Sequence, residues 1–204
     1  MSQTEAERFE SLTDWARMKA SVITYPIARV LHRWGFHPNT ITLLGLGLTV
    51  GVSVVVGLGY TRLGGVLLLL ASSLDALDGA LARVGGERSR FGAFLDSTLD
   101  RISEGALMCG LLVALYPRGS ALEVYLIFAT LLGSQLVSYT RARAEGVGYT
   151  CKTGLLTRVE RVLLLGVGLI FNWIRPVLIL LAVLSWFTVL QRIFYVYREA
   201  RRDP

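Results

Sequence analysis

Residues 74–101 read LDALDGALARVGGERSRFGAFLDSTLDR, and this stretch decides how the chain must fold. The flanking sequence is strongly apolar, yet four aspartates, Asp75, Asp78, Asp96 and Asp100, fall within it. Its periodicity predicts two helices, Ala71 to Arg83 and Phe91 to Gly105, joined by a short glycine-bearing turn. Asp75 and Asp78 then share one helix face by their i, i+3 spacing, and Asp96 and Asp100 share another by i, i+4. Both carboxylate pairs fall at the ends of the two helices that the turn connects.

Working outward, the 204 residues are 53% apolar and only 18% charged, and the mean hydropathy is +0.53. Soluble domains rarely combine such values, so the composition predicts an all-α integral membrane protein. Residues 35–61, 124–140 and 176–191 contain no Lys, Arg, Asp or Glu. A helix of about 20 residues crosses a hydrocarbon core roughly 30 Å thick. Six transmembrane helices are expected near 39–60, 63–84, 92–116, 121–146, 156–173 and 175–197. Asn39 or Thr40 would cap the first of them, after Pro38. Ahead of the spans, Phe9, Leu12, Trp15, Ala16, Val22 and Ile23 recur near helical spacing. They predict an N-terminal amphipathic helix in the membrane interface, bent or broken near Pro26. The organisation is thus an interfacial segment over 1–38 and one six-helix domain over 39–204, with no internal repeat. The charged first 20 residues argue against a cleaved signal peptide.

Six spans place both termini on one side. Of the 21 Lys and Arg residues, only Arg62, Arg118 and Arg175 then fall on the opposite side. This asymmetry predicts cytoplasmic termini, with the aspartate-bearing ends and the loop at 147–155 also cytoplasmic. The net charge of +6 is better explained by anionic lipid or a phosphorylated substrate than by nucleic acid. Cys109 and Cys151 offer neither metal spacing nor an evident disulfide.

An ionised aspartate near the centre of a membrane helix costs about 2.5–3.5 kcal/mol on insertion scales, and four together repel one another. A cation is therefore expected among them. Oxygen-only ligands suit Mg²⁺ or Mn²⁺, and four carboxylates can hold two such ions about 4 Å apart. That arrangement suits phosphoryl transfer, with one carboxylate left to take a proton from the nucleophile. Gly79, Ala82 and Gly92 are small enough for a phosphorylated group to approach the backbone, and Arg83 can pair with phosphate. The competing use of intramembrane carboxylates, an ion or proton transporter, fits less well. The chain lacks paired halves, and the carboxylates cluster at one boundary.

Asp75, Asp78, Gly79, Ala82, Arg83, Gly92, Asp96 and Asp100 together match the signature D-x2-D-G-x2-A-R-x8-G-x3-D-x3-D. In this the chain resembles the CDP-alcohol phosphatidyltransferases. The resemblance implies a two-metal enzyme that moves a phosphatidyl group from CDP-diacylglycerol, or a related CDP-lipid, to an alcohol and releases CMP. It implies that Asp75, Asp78, Asp96 and Asp100 bind the metals and that Asp100 also deprotonates the acceptor. Gly79, Ala82, Arg83, Ser89 and Gly92 would contact the CDP-lipid, with Asn39, Thr40 and Thr42 of "PNTIT" closing over the nucleotide. It further implies a homodimer in the plasma membrane.

Arg141, Arg143, Lys152, Arg158 and Arg161 form a basic set on the aspartate side. Such a set serves as a topology signal or a lipid contact, but it is also what a small phosphorylated polyol acceptor requires. "SYTRARAE" with the later "RVER" resembles bacterial phosphatidylinositol phosphate synthases, whose acceptor is inositol 1-phosphate. This implies Ser138, Arg141 and Arg161 as acceptor-phosphate contacts. Arg141 stands where that subfamily commonly has lysine, and Val159 where it often has proline. Glycerol 3-phosphate, or another polar alcohol such as serine, is the alternative acceptor.

Overall fold

The computed structural model describes residues 24–86, 89–118, 121–151 and 153–202, except the side chains of Asp75, Ala76 and Arg118. Within them the fold is all-helical. Residues 24–33 are helical (α1). They are followed by α2 (Pro38–Gly57), α3 (Thr61–Val84), α4 (Arg90–Leu115), α5 (Ala121–Gly146), α6 (Arg158–Ile170) and α7 (Ile174–Ala200). Helices thus occur where the six apolar segments were expected, with every end within three residues. Phe9, Leu12, Trp15, Ala16, Val22 and Ile23, which carried the interfacial-helix expectation, lie outside the described residues.

Local chemistry sets the helix ends. Helix α2 starts two or three residues earlier than a cap at Asn39 or Thr40 would place it: His37 is the N-cap and Pro38 opens the helix. Proline suits this position because its missing N–H would have no partner there and its φ is already helical. Ser89 caps α4 by accepting a hydrogen bond from the Gly92 N–H at 2.8 Å. Thr157 and Glu160 form a capping box at the start of α6, the Glu160 carboxylate accepting from the Thr157 N–H at 2.8 Å. At its other end α6 stops short of the expected 173. Asn172 takes the left-handed conformation at φ 58° and turns the chain into α7, a conformation asparagine tolerates better than most residues.

Helix α4 is central, packing against α2 on one side and α5 on the other. Helix α3 pairs with α2 and α6, and α7 with α5 and α6. The core runs between them through Val56, Leu68, Leu107, Leu111, Leu169 and Leu181. The α2–α4 contact is close enough to need glycine: a Cβ at Gly110 would overlap the Ser53 carbonyl and sit 2.6 Å from its hydroxyl oxygen. That hydroxyl donates across the interface to the Ala106 carbonyl. Backbone approach at a small residue, sealed by an interhelical hydrogen bond, is how helices associate where hydrophobic driving force is absent. Away from the aspartates, the Arg175 guanidinium at the start of α7 grips Glu123 of α5, with Nε 2.7 Å from Oε1.

Outward faces are apolar, with Leu48, Val54, Leu70, Phe128, Val183 and Leu190 all exposed. Water-facing surfaces do not carry such bands. Helices α2, α3, α5 and α7 are each long and apolar enough to cross a membrane. The chain is accordingly a multi-pass membrane protein. Helix α4 has the length but carries Arg90, Asp96, Asp100, Arg101 and Glu104, all ahead of Gly105. Helix α6, with 13 residues, extends only about 20 Å at 1.5 Å per residue.

Candidate active site

Two cavities open at the same end of the bundle, on either side of α4. The first, of about 350 Å³, lies between the start of α2, the end of α3 and the start of α4. Asn39 and Thr42 line it from α2, Asp78, Gly79, Ala82 and Arg83 from α3, and Ser89, Gly92 and Asp96 from the α4 side. Asp78 is 7% exposed, and its Oδ2 accepts a hydrogen bond from the Thr42 hydroxyl at 3.0 Å. The Arg83 guanidinium lies 5.6 Å from the centre of the Tyr25 ring of α1, so the first described helix helps to orient it. A Cβ at Gly92 would come within 3.0 Å of the Ser89 hydroxyl and 3.2 Å of Asn39 Oδ1. Glycine therefore leaves backbone, rather than a side chain, at the cavity wall.

The second cavity, of about 400 Å³, is enclosed by α4, α5, α6 and α7. Its lining includes five arginines, at 101, 141, 158, 161 and 192, against three acids, Asp100, Glu104 and Glu145. The excess of positive charge makes it a receptor for an anion. Arg158 Nη1 is 2.9 Å from Asp100 Oδ1, and Arg141 pairs with Glu145 one turn away on α5, also at 2.9 Å. Deeper, Glu104 Oε1 receives Arg161 Nε at 3.0 Å and Nη2 at 2.6 Å, while the Ser134 hydroxyl donates to the other carboxylate oxygen. Arg192 is 4% exposed and donates to backbone carbonyls, that of Thr153 at 2.9 Å and that of Val137.

The expected site residues therefore divide between two cavities. Asp78, Asp96, Gly79, Ala82, Arg83, Ser89, Gly92, Asn39 and Thr42 line the first. Asp100, Ser138, Arg141 and Arg161 line the second. Thr40 is exposed and lines neither. Asp75 lies on α3 one turn before Asp78, and its side chain is outside the described residues, as is Lys152 altogether. Among the described residues no three His, Cys, Asp or Glu side chains converge as a metal site. The donor set along α3 and α4 nevertheless remains oxygen-only and carboxylate-rich, the chemistry a hard divalent cation prefers. Glu104 and Arg192 were not singled out in the sequence. For Glu104 the signal was present, since it continues the Asp96, Asp100 spacing by four more residues. For Arg192 only the tertiary fold brings α7 against the 153 loop.

A helical membrane bundle with a carboxylate-lined cleft and a basic cavity side by side defines a membrane enzyme that joins two polar groups at its surface. The model of the family described as CDP-alcohol phosphatidyltransferase matches residues 36–193, and the chain belongs to that family. It is 38% identical over 169 residues to the archaetidylinositol phosphate synthase of Pyrococcus horikoshii, covering 82% of this chain and 87% of that one. The crystal structure of Mycobacterium tuberculosis phosphatidylinositol phosphate synthase with CDP-DAG bound superposes with a TM-score of 0.79 at 36% identity. That match covers 86% of this chain and 94% of the other. The same mycobacterial enzyme in complex with manganese and citrate gives a TM-score of 0.78 at 36% identity, over 85% and 88% of the two chains.

Proposed function

We propose that the chain transfers a phosphatidyl-type group from a CDP-linked lipid to inositol 1-phosphate, releasing CMP. The observation that carries this reading is the pair of adjoining cavities that share Ala93 of α4, one lined by aspartates and the other by arginines. A CDP-lipid and a phosphorylated acceptor placed in them would meet at that helix. The relatives support the acceptor: the Pyrococcus and Mycobacterium enzymes are both named inositol phosphate synthases and differ in the lipid part of the name. The lipid donor is correspondingly CDP-diacylglycerol or its archaeal counterpart.

In this reading Asp75, Asp78, Asp96 and Asp100 hold two divalent cations, Mg²⁺ or Mn²⁺, and manganese in the mycobacterial structure supports a divalent metal. The cations supply charge neutralisation for the pyrophosphate. Arg83 pairs with a phosphate of the CDP part, which rests against the backbone at Gly79 and Gly92, with Ser89 beside it. Ser138, Arg141 and Arg161 receive the acceptor's phosphate in the second cavity, which all three line. Asp100 takes the proton of the acceptor hydroxyl as its oxygen bonds to the lipid-side phosphorus. The bond from that phosphorus to the bridging oxygen breaks in line, and CMP departs. The six spans are α2 to α7, the 13-residue α6 crossing together with the segments that flank it; both termini and this site face the cytoplasmic side of the plasma membrane, and the chain works as a homodimer.

The test is CMP release by purified protein with Mg²⁺ or Mn²⁺, using CDP-diacylglycerol and its archaeal ether analogue as donors. Inositol 1-phosphate, glycerol 3-phosphate, serine and inositol are compared as acceptors. Release dependent on inositol 1-phosphate is expected. Release with glycerol 3-phosphate instead would keep the chemistry and overturn the acceptor.

A further inference from the structure

The segment that leads into α6 is held against α7 through three of its backbone groups. Thr188, Gln191 and Arg192 share one face of α7 by their i, i+3, i+4 spacing. Arg192 Nε donates to the Thr153 carbonyl at 2.9 Å, Gln191 Oε1 accepts from the Leu155 N–H at 3.2 Å, and the Thr188 hydroxyl oxygen accepts from the Leu156 N–H at 3.3 Å. That hydroxyl gives its own proton to the Leu184 carbonyl at 2.8 Å, which leaves its oxygen to accept. Leu156 is 3% exposed and belongs to the core, and an N–H drawn inside with it needs a partner of this kind. Between these contacts Gly154 has a φ of 150°, and a Cβ there would lie 3.0 Å from Thr188 Cγ2 and from Arg192 Nη2. Glycine therefore lets the segment lie flat on α7.

We propose that Gln191 and Thr188 are positioning residues that set where the start of α6 stands in the acceptor cavity. This placement rests on the transferase reading, whose acceptor site it deepens. Thr157 follows the held segment directly, caps α6 and lines the second cavity together with Arg158 and Arg161. Helix α6 has only 13 residues, so a hold on its lead-in governs how far the helix stands along its axis. Glu104 fixes the Arg161 guanidinium from the α4 side, and the α7 contacts fix the backbone that carries it. A guanidinium meets phosphate through directional N–H bonds, which weaken steeply when misaligned. A slip of the lead-in would therefore cost Arg161 its place beside Ser138 and Arg141. Among the described residues, none that lines the first cavity lies on 153–157 or on α7, so the effect falls on the acceptor and leaves the CDP-lipid alone.

The test compares wild type with Gln191→Leu, which keeps the bulk and removes the acceptor, Gln191→Glu, which keeps an acceptor, and the double variant Gln191→Leu with Thr188→Val. Each is purified with Mg²⁺ and checked for a monodisperse fold; should the double variant fail to fold, the two Gln191 variants carry the test. Backbone deuterium exchange over residues 153–157 reads the hold directly. It should be faster in Gln191→Leu, fastest in the double variant and near wild type in Gln191→Glu. The acceptor KM, measured by CMP release, should rise at least about threefold in Gln191→Leu and about tenfold or more in the double variant, while the CDP-lipid KM stays within about twofold of wild type. Gln191→Glu should restore most of the acceptor KM. Unchanged exchange would overturn the hold, and equal rises in both KM values would reduce the contacts to general stability and overturn the positioning role. If wild type releases CMP with a phosphorylated acceptor and Gln191→Leu leaves that acceptor's KM unchanged, only the role of Gln191 and Thr188 falls. If wild type releases CMP with no phosphorylated acceptor, the transferase reading fails and takes this role with it.

Discussion

Glu104→Met and Arg161→Met, singly and together, probe the interior of the second cavity. The two side chains are 13% and 5% exposed, and two guanidinium nitrogens reach Glu104 Oε1 at 3.0 and 2.6 Å. Removing either partner strands the other charge with little access to water, a loss of about 3–5 kcal/mol for a buried pair. Both groups border a cavity of about 400 Å³, where water softens the penalty, so the lower end, about 3 kcal/mol, is expected for each single change. Replacing both leaves no stranded charge and fills similar volume, which is often neutral. The double variant should therefore melt above either single variant when thermal unfolding of the detergent-solubilised protein is followed by size-exclusion chromatography. Transfer should separate from stability: a double variant that folds well still lacks Arg161, so its acceptor KM should rise while the CDP-lipid KM holds. A double variant destabilised by the sum of the two singles would refute the coupling and with it the description of Arg161 as held by Glu104.

Three further outcomes are expected. Thr42→Val removes the donor that Asp78 accepts at 3.0 Å; a hydrogen bond to a charged group contributes about 1.5–3 kcal/mol. The CDP-lipid KM should then rise about tenfold or more, each 1.4 kcal/mol being tenfold, and an unchanged KM would sink the contact's role. Gly110→Val drives a side chain into the Ser53 backbone; overpacking of this kind costs about 1–3 kcal/mol. It should lower the melting temperature more than Gly105→Val, since a Cβ at Gly105 meets nothing within 4 Å. Chelation with EDTA should stop CMP release, with Mg²⁺ or Mn²⁺ restoring it. Persistence in EDTA would remove the metal from the mechanism.

Much of the fold was legible because apolar runs of membrane length leave few choices. Charge-free segments such as 35–61 and 176–191 overlap α2 and α7 for most of their length. The ends were less legible where they depend on a particular turn, as at Asn172, whose backbone conformation ends α6 early. Spacing also grouped the carboxylates correctly by helix, but it could not say toward which neighbour each would point. Partner choice between basic residues was likewise beyond it. The reading of "RVER" singled out Arg161, yet it meets Glu104 deep in the cavity wall, while Arg158, which it left in the general basic set, meets Asp100 nearer the opening. That distinction depends on how deeply α6 sits against α4.

The division of the site follows from helix geometry. At 3.6 residues per turn, each i, i+4 step rotates a side chain about 40° around the axis, so a stripe of such residues slowly winds across a helix face. Asp96, Asp100 and Glu104 are successive members of one stripe on α4. Asp96 lines the cleft shared with α2 and α3, while Asp100 and, deeper, Glu104 line the cavity shared with α5, α6 and α7. In-line displacement requires the attacking oxygen to approach from the side opposite the leaving group. In the proposed reading a base serving that oxygen stands on the acceptor side of the donor phosphates, and one more turn of α4 beyond Asp96 carries Asp100 to the cavity proposed for the acceptor. The same rotation sets Asp100 among the arginines of the second cavity, 2.9 Å from Arg158, which is where the proposed reading needs a base.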